Sequence, residues 1–99
     1  MRRVGEARHR AVEAEIRGEM AAALGDGARR VEAALAALRE AEPGDQRERL
    51  LTAAADAVWG FLIQRELRGL RDNEQVIAHH RIPREVLNRA GAMNTAKAQ

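Results

Sequence analysis

The sequence predicts an all-α protein: a long helical hairpin followed by two short C-terminal helices. Three observations carry that expectation. Large apolar residues recur at Val12, Ile16, Met20, Leu24, Val31, Leu35 and Leu38, in steps of three, four or seven. The segment Ala41-Glu42-Pro43-Gly44-Asp45 is a strong stop-and-turn signal between two periodic stretches. Beyond it, Leu50 to Ile63 is interrupted only by Thr52, Asp56 and Gly60, spaced four apart. A helix of that pattern is apolar around most of its circumference and needs several neighbours to cover it.

The first helix is expected over residues 8–41. Gly25-Asp26-Gly27 could divide it, but Leu24 and Val31 stand one heptad apart across the glycines, so the stripe keeps its phase. One continuous helix is therefore expected, weakened by about 1 kcal/mol at each glycine. Ala11, Ala14, Gly18, Ala21, Gly25 and Ala28 form a second stripe of small residues, which would let another helix approach closely. That stripe is the candidate dimer interface. Its alternative is chance in an alanine-rich chain.

Pro43 and Gly44 end the first helix, and Asp45 with Glu48 resembles a capping box opening the second, expected over residues 46–71. Its apolar face shifts near Trp59, which implies two different neighbours. Val58, Trp59, Phe61, Leu62, Ile63, Leu67 and Leu70 are the candidate core, and Glu66 is expected partly inside beside an arginine. A short helix begins near Asp72-Asn73-Glu74. A last one is expected over residues 83–90, with Pro83 in its first turn and Gly91 just past its end. Residues 1–7 are expected to be a flexible basic start, 8–91 a single helical domain and 92–99 a disordered tail.

Composition narrows the function more by exclusion than by assignment. A chain of 99 residues fits one small domain, and its 45% apolar content is rich in alanine, which gives a monomer a thin core. No apolar run approaches the ~20 residues of a membrane span, and no secretory leader is recognisable. Cysteine is absent, which removes disulfides and thiolate metal sites and fits a cytoplasmic protein. Serine and tyrosine are absent too, so the hydroxyls are Thr52, within a helix, and Thr95, in the tail, which comes close to excluding the usual nucleophilic chemistries. No phosphate loop or dinucleotide fingerprint is present. The expectation is a protein without catalytic residues, cofactor or metal.

Two features invite sharper readings. His79-His80 is an adjacent pair, but neighbouring helical residues point about 100° apart and cannot chelate one metal as an i, i+4 pair does. Residues 73–90 have a helix-turn-helix cadence in which Arg81, Arg84, Asn88 and Arg89 could face a nucleic-acid groove. Arg81, however, stands where that turn usually carries Gly. The net charge of +2 is low and Glu74 and Glu85 interrupt the patch, so nucleic acid is the less favoured partner.

The run Asp56-Ala57-Val58-Trp59-Gly60-Phe61-Leu62-Ile63-Gln64-Arg65-Glu66 through Gly69-Leu70-Arg71-Asp72, followed by Ile82-Pro83-Arg84-Glu85-Val86-Leu87, resembles an uncharacterised family of short all-helical bacterial proteins. The resemblance spans about the C-terminal half and implies a bacterial, all-helical protein, with no activity or site to carry over.

A first helix of ~33 residues would be ~50 Å long. The hairpin must project, and its apolar faces must find cover. The expected function is a non-catalytic oligomerisation and interaction module, a cytoplasmic homodimer that could also take a protein partner. The alternatives are a small nucleic-acid-binding protein using residues 73–90, and an accessory subunit of a hetero-complex.

Overall fold

The structure, a computed structural model, describes the backbone of residues 2–98 and the side chains of residues 7–92. Four helices follow one another: α1 (Arg2–Glu40), α2 (Asp45–Leu67), α3 (Asn73–His79) and α4 (Arg84–Ala98). No strand occurs among the described residues. The all-α architecture, a long helix followed by shorter ones, is as the sequence predicts.

Helix α1 is continuous through Gly25-Asp26-Gly27 and is 39 residues long, ~58 Å at the α-helical rise. The glycine that matters is Gly27. A Cβ there would lie 2.9 Å from Cδ1 of Phe61, so the bare backbone is what lets that ring lie against α1. Among the described residues nothing makes a comparable demand at Gly18, where a Cβ would meet no atom within 4 Å.

At the hairpin turn, Gly44 occupies the N-cap position with φ 139°, a conformation glycine tolerates. The expected capping box does not form. Asp45 and Glu48 lie inside the first turn, where they complement the helix dipole, and no side chain caps the helix.

Helix α2 ends earlier than the sequence pattern suggests, at Leu67. Gly69, at φ 79°, closes it: its N–H donates to Glu66 O (2.9 Å) and Leu70 N–H reaches back to Arg65 O (3.0 Å). This is a Schellman closure. The chain leaves the helix there, so Leu67 is 77% and Leu70 37% exposed, and neither belongs to the core as expected. Glu66 is likewise exposed rather than partly inside. The same closure recurs after α3, with Arg81 at φ 54° in the glycine's place; Arg81 N–H donates to Ala78 O and Ile82 N–H to Ile77 O.

The core follows from α2 lying between α1 and α4. Val31, Leu35 and Leu38 meet Leu51, Ala54, Ala55, Val58 and Phe61, and Val76, Ile82, Val86 and Ala90 complete the cluster. Of the other expected core residues, Val58 and Phe61 are buried, whereas Trp59, Leu62 and Ile63 are half-buried. Trp59, expected to be buried, packs on the rim of the cluster.

At the chain ends, α1 begins at Arg2 and α4 runs through Gly91 to Ala98, so Gly91 does not terminate it. Ala92, Ala96 and Ala98 favour continuation. The flexibility expected of residues 1–7 and 92–99 falls mostly on residues whose side chains lie outside the described ones. The radius of gyration is 17.7 Å, against ~13 Å for a compact domain of this size, and the extents are 66 × 31 × 21 Å. The hairpin does project.

Candidate interaction surface

The projection is set by the contact between Gly27 and Phe61. On antiparallel helices, Leu67 is six positions past Phe61 and so stands level with Ala21 of α1. N-terminal to that level, α2 no longer accompanies α1. Every described residue from 7 to 19 is exposed. Val12 and Ile16, 48% and 50% exposed, lie on one line with the half-buried Met20 and Leu24, which leads towards the covered part of the helix. The result is an arm of ~30 Å carrying branched apolar side chains in water.

The covered part is fastened by polar contacts that sequence periodicity does not reveal. Phe61 is their centre. The His80 ring stands edge-on to it, centroids 5.7 Å apart and 87° between planes. The Arg65 guanidinium lies 5.8 Å from its centroid, a cation–π contact, and bonds the Asp72 carboxylate at the start of α3. His80 Nδ1 donates to Glu32 Oε1 at 2.6 Å, joining the end of α3 to α1. That hydrogen bond outweighs the cost of burial and holds the Glu32 carboxyl below its usual value of 4.5, with lesser help from the charges of His80 and Arg39.

A second group of contacts ties α4 to the beginning of α2. Arg47 bonds Glu85 through both nitrogens, at 2.5 and 3.3 Å. This hydrogen bonding is the main reason that the Glu85 carboxyl is lowered below 4.5. Arg89 spans Thr52 Oγ1 (2.8 Å) and Glu48 Oε2 (2.9 Å).

Between α1 and α2 runs a groove of about 420 Å³. Small residues floor it, among them Ala23, Gly27, Ala57 and Gly60, and Asp26, Arg30, Asp56 and Gln64 supply its polar atoms. No hydroxyl or imidazole lines it, so it offers shape and charge rather than a nucleophile or a histidine base.

The expected site residues separate accordingly. Arg81, Arg84 and Asn88 are exposed, while Arg89 is half-buried and engaged with α2. One of the four candidate nucleic-acid contacts is thus occupied in holding the fold. In the small-residue stripe, Ala11, Ala14, Gly18 and Ala21 are exposed, and Gly25 and Ala28 are half-buried. At 100° per residue this stripe lies on the side of α1 away from Val12 and Ile16. His79 and His80 stand edge to face, 4.8 Å apart. Among the described residues no three His, Asp or Glu side chains gather as metal ligands would, and no helix is long and apolar enough to cross a membrane.

The sequence assigns no contact to Glu32 or Arg65, and marks Gly27 only as a weak point of α1. Gly27 alone left a signal, a second glycine in a helix that stays in phase. The Glu32–His80, Arg47–Glu85 and Glu48–Arg89 pairs join residues far apart in sequence and leave none.

Comparison with curated proteins and with solved structures gives no match. A family model does match, over almost the whole chain. The protein belongs to the family of unknown function DUF6665, whose model covers residues 2–98.

Proposed function

We propose that the protein is a non-catalytic helical module that self-associates, as a cytoplasmic homodimer, through the uncovered half of α1. The observation that carries this reading is the half-exposure of Val12 and Ile16 on a helix that continues into a well-packed hairpin. An amphipathic helix draws most of its stability from packing its apolar face, and isolated helices of ordinary sequence are marginal in water. The arm therefore gains from a partner along that face. A cysteine-free chain suits a reducing compartment. The engagement of Arg89 with Glu48 and Thr52 weakens the nucleic-acid alternative.

The test is the mass in solution. Light scattering at micromolar concentration should give twice 10.9 kDa for the wild type. Ile16→Glu should shift the mass towards that of one chain while leaving the thermal unfolding of the hairpin cooperative. A wild-type chain that stays monomeric at these concentrations overturns the proposal.

A further inference from the structure

We infer that the groove between α1 and α2 is the seat of a second copy's arm, so that two chains clasp each other, each arm lying in the other's groove. This rests on the self-association proposed above and names the surface that receives Val12 and Ile16. Direction, shape and area each support it.

At 100° per residue, Val12 and Ile16 leave α1 on the same side as Ala23, Asp26, Gly27 and Arg30, which line the groove, and the two mean directions agree within ~10°. The core face of Val31, Leu35 and Leu38 lies ~90° round the helix. Branched side chains and groove therefore follow one another along a single face of α1. A two-fold axis crossing that face between them lays each arm antiparallel along the partner's groove. Helix α2 stands on the core side and stops level with Ala21, so it leaves the way open.

The shape is complementary. The floor of the groove includes Ala23, Gly27, Ala57 and Gly60, over which a second helix can approach closely and its branched side chains find room. Gly27 is explained within the chain by the Phe61 ring. Gly60 is not: it lies inside α2, a Cβ there would meet no atom within 4 Å, and alanine would suit the helix better. A helix arriving from outside supplies the missing reason. Gly18 is as open, but it lies on the far side of the arm and does not line this groove.

Area favours the same pairing. Two arms lying only against each other would bury a strip one helix wide and ~30 Å long, short of the ~1,200 Å² of stable complexes. An arm in a groove touches two helices at once, and the two-fold axis makes that contact twice.

Filling the groove from within tests the inference. Gly60→Leu places a large side chain there, on a Cβ that strikes nothing in its own chain. It should sediment as a monomer at concentrations where the wild type is dimeric, with its helical circular dichroism and cooperative unfolding retained. Cross-linking gives a second measurement that does not depend on how that variant folds, since the chain has no native cysteine. Ala57 stands level with Val31, ~28 Å along α1 from Val12, so a short bismaleimide cannot join these two positions within one chain. Mixed Val12→Cys and Ala57→Cys chains should give cross-linked dimers, and Val12→Cys chains alone should give none. A folded Gly60→Leu that dimerises as the wild type does, or cross-linking through Val12→Cys alone, overturns the seat in the groove and leaves self-association standing. A monomeric wild type overturns both.

Discussion

Residues 7–23 and 24–40 of α1 are two stretches of one helix with the same kind of apolar periodicity and opposite fates. In the second, Val31 and Leu35 are 0% and 1% exposed. In the first, Val12 and Ile16 are about half exposed. Neither backbone geometry nor helix propensity separates them. The difference is the length of the neighbour: α2 has 23 residues to the 39 of α1 and ends where Gly69 closes it. Periodicity states which face of a helix seeks cover. Whether cover arrives depends on where another helix stops.

The sharpest way to break this comparison is to truncate one side chain in each half. Leu35→Ala should destabilise the chain by about 2–5 kcal/mol, the range for a fully enclosed leucine. Ile16→Ala should change the unfolding free energy of the monomer by less than about 0.5 kcal/mol, as surface positions do. Denaturant titration at concentrations too low for association reads both. Comparable losses at the two positions would show that the arm is covered within the chain.

Glycines sharpen it next. Gly27→Ala forces a methyl group into the Phe61 ring, and overpacking of about 1–3 kcal/mol outweighs the gain in helix propensity. Gly18→Ala meets no such obstacle and should stabilise by up to about 1 kcal/mol. The two substitutions are chemically identical, so opposite shifts in the melting temperature would isolate packing as the cause.

A smaller effect belongs to acid. Glu32, in the covered half, and Glu85, on α4, both have carboxyls below the usual 4.5 in the folded chain, because His80 and Arg47 respectively hydrogen-bond them. Groups lowered in this way stabilise the fold above their unfolded value, and that contribution disappears as the pH falls through the folded value. The melting temperature should therefore decline on acidification below pH 4.5, and less steeply in Glu32→Gln/Glu85→Gln. An unchanged slope in that variant would assign the acid sensitivity to other carboxylates.

Much of this architecture is legible in the chain because the signals are local. Pro43 and Gly44 mark the hairpin, and the phase kept from Leu24 to Val31 indicates an unbroken α1. The early end of α2 also had its mark, Gly69, but the apolar spacing of Trp59, Ile63, Leu67 and Leu70 argued for a longer helix. Spacing cannot show that the supporting neighbour is missing. At Gly91 the error ran the other way, since a glycine followed by alanines need not close a helix. The exposed arm was implied by the disparity in helix lengths, and the stripe of small residues lies on its far side. The contacts around Phe61 were not legible. They depend on where three helices converge, and His80, Glu32 and Arg65 share no spacing that would announce it.

The continuity of α1 across its glycines also makes the helix a lever. Phe61 packs against Gly27 near the base of the arm, and the helix start lies ~37 Å beyond it. A tilt of ~5° about that contact displaces the start by ~3 Å, about a side chain's width, with no bond broken along the way. Small adjustments in the packing of one aromatic ring are thereby magnified at the exposed arm. A hairpin with equal helices would have no such mechanical advantage.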